Sequence, residues 1–96
     1  MNPNMMKKLK KMQEEMAAAQ EKLEMTEFIG KATGVTVVAQ GTRQLVDIKI
    51  SEELMEEPEI MQDAIIAAVN DALAQIDKAQ QDSMGKFTNG IGGFGF

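Results

Sequence analysis

The chain contains no cysteine, histidine, tryptophan or tyrosine, and only two prolines. Each absence removes a kind of chemistry. Without cysteine there is no thiol nucleophile, disulfide or thiolate metal ligand, and without histidine there is no imidazole base or imidazole ligand. The missing cysteine also fits a reducing cytoplasm. Aromatic residues make up 4% and all are phenylalanine, so no indole or phenol is present to stack on a base. Long hydrophobic runs are missing too. The longest, Ala64–Val69, falls far short of the roughly 20 apolar residues of a membrane-spanning helix. The early lysines are not followed by the apolar core of a signal peptide. The expectation is a soluble cytoplasmic protein with no membrane partner.

What is present fits one small domain of 96 residues. A domain of this size buries roughly two-thirds of its surface on folding, so a second subunit adds much. The net charge is −5, from 15 acidic and 10 basic residues. That balance runs against the basic excess usual in nucleic-acid binders, so the distribution of charge matters more than its sum.

The opening segment reads as a helix over Pro3–Met25. Asn2 suits the N-cap and Pro3 the first helical position, where a missing N–H costs nothing. Lys, Glu, Gln, Met and Ala then dominate, without glycine or proline. Met5, Leu9, Met12, Met16, Ala19 and Leu23 recur at alternating spacings of four and three, a seam for packing against another helix. At ~1.5 Å per residue this rod is roughly 35 Å long and projects beyond a small core.

Three strands follow, at Phe28–Ala32, Val35–Ala39 and Leu45–Ile50, joined by Thr33-Gly34 and by Gln40-Gly41-Thr42-Arg43. Gly41 is expected to supply positive φ in the second turn. In the third strand Val46, Ile48 and Ile50 alternate with Leu45, Asp47 and Lys49, which predicts one apolar face. Ser51 is expected to cap a single turn at Glu52-Glu53-Leu54. A last helix opens at Pro58 and extends to about Met84. Its stripe is Met61, Ile65, Ala68, Ala72, Ile76 and Ala79, widened by Ile66, Val69 and Leu73, which suits a helix lying on a sheet. The domain is thus residues 1–84, and residues 85–96 form a flexible Gly/Phe-rich tail with five of the eight glycines. The fold class is α+β: a helix, a three-stranded antiparallel meander and a long helix.

The basic cluster is Lys7, Lys8, Lys10 and Lys11, four of only ten basic residues. All four avoid the seam and sit near a helix start, where cations oppose the dipole. Phosphates give them a reason to be there. The alternative is a solvated face with Lys10–Glu14 and Lys11–Glu15 pairs. The run Glu52, Glu53, Glu56, Glu57, Glu59 and Asp63 lacks the glycine and alternating ligands of a calcium loop and matches what a helix N-terminus favours. The nine methionines read as adaptable packing. Asp47 beside Lys49, or Ser51 before Glu52, has no nucleophile or oxyanion hole attached, and no phosphate-binding glycine motif is present. No catalytic residue, cofactor, metal site or small-molecule substrate is expected. An enzyme would need a composite site across a dimer.

The layout resembles the YbaB/EbfC family of bacterial nucleoid-associated proteins. The resemblance rests on Met6-Lys7-Lys8-Leu9-Lys10-Lys11-Met12-Gln13-Glu14 and on Val35-Thr36-Val37-Val38-Ala39-Gln40-Gly41. It continues in Val46-Asp47-Ile48-Lys49-Ile50-Ser51-Glu52-Glu53-Leu54, in Ala68-Val69-Asn70-Asp71-Ala72 and in the Gly/Phe-rich ending. It implies a homodimer built around joined sheets, with helical arms that grip double-stranded DNA in the nucleoid and a role in nucleoid organisation or gene regulation. By position the gripping residues are Lys7, Lys8, Lys10 and Lys11, followed by Lys78 and Lys86. Asn70 matches a signature position and is expected to bond backbone at the dimer seam. Acidity, a single arginine (Arg43) and the absence of Tyr and Trp depart from a typical DNA binder. The rival reading is a dimeric protein–protein adapter that uses the seam and Phe94 or Phe96, without nucleic-acid activity.

Overall fold

The computed structural model describes residues 2–91, with side chains through residue 85. Its elements are α1 (Pro3–Met25), β1 (Glu27–Ala32), β2 (Val35–Gln40), β3 (Leu45–Ile50), a short 3-10 turn (Glu52–Glu56) and α2 (Pro58–Ile91). The three strands form one antiparallel sheet in the order β1-β2-β3. The molecule is elongated, 67 × 25 × 11 Å. No helix among the described residues is long and apolar enough to cross a membrane.

Local chemistry sets the boundaries of α1. The Asn2 side chain accepts from the Asn4 N–H at 2.9 Å, and Pro3 opens the helix. At the other end the Thr26 hydroxyl donates to the Lys22 carbonyl at 2.7 Å, and its backbone N–H donates to the Leu23 carbonyl. Both ends thus satisfy groups that a helix leaves unpaired.

α2 lies across β1 and β2 and leaves β3 largely uncovered. The inward residues of β2, Val35, Val37 and Ala39, are buried against Ala64, Ala68, Ala72 and Ile76, spaced every four positions on α2. Alanines on that row bring helix and sheet close together. Gly30 makes the approach closer still: a Cβ there would fall 2.1 Å from the Ala68 carbonyl oxygen and 2.6 Å from the Ala72 nitrogen. Among the described residues no buried side-chain polar atom lacks a partner.

Several expectations need correction. The third strand does not alternate cleanly, because β2 and β3 shift register between Val38 and Ala39. Ile50 and Ile48 face Val35 and Val37, but Leu45 faces Ala39, so Leu45 joins the helix side and Val46 is the extra residue. Ile66 does not widen the core; it is 58% exposed. Positive φ in the second turn falls on Arg43 (φ 74), not Gly41. Gly41 is glycine for space, since a Cβ there would sit 1.8 Å from the Leu23 carbonyl oxygen. Ser51 stands at the start of the 3-10 turn without a side-chain capping bond. Helix α2 runs on past Met84 and Gly85 to Ile91, into the segment read as a tail. Adding residues to a helix already formed is favourable enough to carry a glycine. Residues 92–96, with Phe94 and Phe96, lie outside the described residues.

Candidate nucleic-acid interface

The seam of α1 is used in a graded way. Leu23 is buried, Ala19, Met16 and Met12 are half-buried, and Leu9 and Met5 are exposed. Ala19, Lys22, Leu23 and Thr26 share an open cleft of about 310 Å³ with Phe28, Ala79 and Ser83. Leu23 and Ala19 share that cleft with Ala79 and Ser83, and an α1 running antiparallel to α2 from there accounts for the 67 Å length of the molecule. The sheet and α2 therefore hold the end of α1, and its start, with Met5 and Leu9 exposed, projects away from them.

Lys7, Lys8, Lys10 and Lys11 sit on that outlying start, and all four are exposed. Lys7 and Lys11 are one turn apart, and Lys8 and Lys10 flank them. Lys7, Lys10 and Lys11 lie on the side away from the seam, and Lys8, one turn from both Met5 and Met12, lies at its border. Their ammonium groups make no ion pair: the one ion pair among the described residues joins Arg43 to Asp77. The Lys10–Glu14 and Lys11–Glu15 pairs of the alternative reading are absent. Pro3–Met12 carries four lysines and no carboxylate, whereas Gln13–Met25 carries Glu14, Glu15, Glu21 and Glu24 against Lys22 alone. The six carboxylates of Glu52, Glu53, Glu56, Glu57, Glu59 and Asp63 gather at the start of α2. A helix of 34 residues spans about 50 Å, and the antiparallel arrangement puts this acidic cluster at the far end from the lysines. Screening over roughly 8 Å at physiological salt leaves the lysine tip locally positive on a negative molecule.

The structure does not gather every residue named from sequence. Lys78 is exposed on α2, away from the lysine tip, and the Lys86 side chain lies outside the described residues. Asn70 is exposed and makes no side-chain hydrogen bond. Nearby on α2, the Asp71 carboxylate accepts from the Lys31 backbone N–H at 2.9 Å, and the Gln75 amide donates to the Ile29 carbonyl at 2.7 Å. Arg43, the lone arginine, reaches from the β2–β3 turn to Asp77 and Gln80 on α2. Sequence patterns alone did not reveal these partners, because each joins residues more than thirty positions apart. Among the described residues no cluster of acidic side chains could hold a metal.

The chain is thus an elongated α+β protein whose first helix starts with four exposed lysines. The sequence profile of the YbaB/EbfC DNA-binding family matches residues 1–91, and the chain belongs to that family. It is 47% identical over 94 residues to a nucleoid-associated protein of Enterococcus faecalis, an alignment covering 94% of this chain and 90% of that one. A nucleoid-associated protein of Lactobacillus acidophilus is 47% identical over 91% of this chain and 82% of its own. The fold is similar to the crystal structure of an uncharacterized protein of Helicobacter pylori, with TM-score 0.74, 26% identity and coverage of 91% of this chain and 97% of that one. Family and relatives together support a DNA-binding role in the nucleoid and point away from catalysis.

Proposed function

We propose that the protein is a homodimeric nucleoid protein that grips duplex DNA through phosphate contacts from Lys7, Lys8, Lys10 and Lys11 of two α1 tips, in nucleoid organisation or gene regulation. The observation that carries this reading is the lysine cluster itself. Its four charges are unpaired in the folded chain, oppose the helix dipole and lie far from the main acidic cluster. Folding gains nothing from that placement, whereas a phosphate backbone does. Such contacts position the protein without reading sequence, which fits limited sequence preference.

The dimer draws on a different surface. Leu45 is 48%, Val46 44% and Ile48 43% exposed, all on the strand that α2 leaves uncovered. Ile66 lies on the same flank of α2, the one from which Asp77 and Gln80 reach Arg43. This apolar strip beside an open strand edge is what a second copy of the chain would cover.

The test is fluorescence anisotropy of a short DNA duplex titrated over a salt series, with solution mass measured alongside. Two tips contacting about 6–8 phosphates give a log–log salt slope near −5 to −7. Changing all four lysines to glutamine is expected to abolish most of the affinity and flatten the slope while the helical circular dichroism stays. Binding that ignores both salt and the four lysines overturns the reading. The adapter reading draws on the exposed seam residues Met5 and Leu9 and requires that no DNA binding appear even at low salt.

A further inference from the structure

The two edges of the sheet differ. Two-residue closure of the β1–β2 hairpin, with Ala32 opposite Val35, directs the backbone groups of Ile29 and Lys31 away from β2. These are the groups an incoming strand would bond. Two side chains of α2 already occupy one group of each residue: Asp71 takes the Lys31 N–H, and Gln75 gives to the Ile29 carbonyl. A further bond from the Gln75 amide to the Asp71 carboxylate, at 3.3 Å, ties the two caps together. Gly30 lets α2 come close enough for both side chains to reach over the edge. No side chain bonds the outer edge of β3 among the described residues.

We propose that Asp71 and Gln75 are edge-blocking residues that close β1 to strand addition, leaving β3 as the sheet's one pairing edge. A sheet with two open edges adds copies without limit, whereas a sheet with one open edge closes after a single pairing. The blocked edge would thus hold the assembly at two copies and keep the number of lysine tips per particle fixed. The inference rests on the dimer reading for its final copy number, but the blocking itself is independent of it.

The experiment is sedimentation velocity of the full chain across a hundredfold concentration range, for the natural sequence, for Asp71→Ala with Gln75→Leu, and for Gln75→Leu alone. Amide hydrogen exchange of Lys31 is followed in each. The natural chain is expected to hold one mass throughout. The double variant is expected to form larger species as concentration rises and to exchange the Lys31 amide about tenfold faster. Adding Lys31→Pro, which removes the freed donor, is expected to suppress the larger species. A folded double variant whose mass tracks the natural chain overturns the inference. If the double variant does not fold, Gln75→Leu decides by the same mass reading, and unchanged mass again overturns it. A natural chain that sediments as a monomer defeats the dimer reading instead. The edge-blocking claim would then stand or fall on whether the variants gain association relative to that monomer.

Discussion

The two ends of α1 obey different rules. At its end, Leu23 is buried, Thr26 is bonded back to the helix, and the β2–β3 turn comes so close that Gly41 has no room for a side chain. At its start, Met5 and Leu9 stay exposed and four lysines make no ion pair. The first region is held by contacts within the chain; the second is left for contacts outside it. The lesson is that stability and binding are assigned to separate stretches of one helix and should be separable by mutation.

The largest expected effect tests the packed side of that division. Gly30→Val places carbon atoms inside contact distance of the α2 backbone, and is expected to cost more than about 4 kcal/mol, read as loss of the urea unfolding transition. Ile76→Ala removes a fully buried side chain and is expected to cost about 2–5 kcal/mol. If DNA binding by the still-folded Ile76→Ala fraction keeps its salt slope, the division holds. Gly85→Ala meets nothing within 4 Å and is expected to stabilise by about 0.5–1 kcal/mol through helix propensity, read as a higher urea midpoint. Lys10→Gln is expected to change stability by less than about 0.5 kcal/mol, yet to reduce the salt slope by about 2 for two copies. A large stability loss from Lys10→Gln would break the comparison.

Most of the fold was legible from periodicity. The α1 boundaries, the three strands and the four-residue row on α2 follow from spacing and caps that the local sequence carries. The parts that were not legible share a cause: they depend on what arrives from elsewhere in the chain. The register shift at Ala39 turns Leu45 to the helix side, and no alternation in β3 announces it. Gly41 looked like a turn glycine, but the Leu23 carbonyl dictates it. Asn70 drew the eye within its signature, while Asp71 beside it bonds the β1 edge forty residues back. The lysine cluster was visible, but whether Glu14 and Glu15 neutralise it required side-chain positions.

The contact of Gly41 with the Leu23 carbonyl has a mechanical consequence. It fixes the angle at which α1 leaves the sheet, and the rod beyond it acts as a lever. The lysines lie roughly 20 Å from that pivot, so each 5° of rotation there moves them by about 2 Å. A bulkier residue at the pivot would therefore shift the spacing between gripping charges without touching any of them.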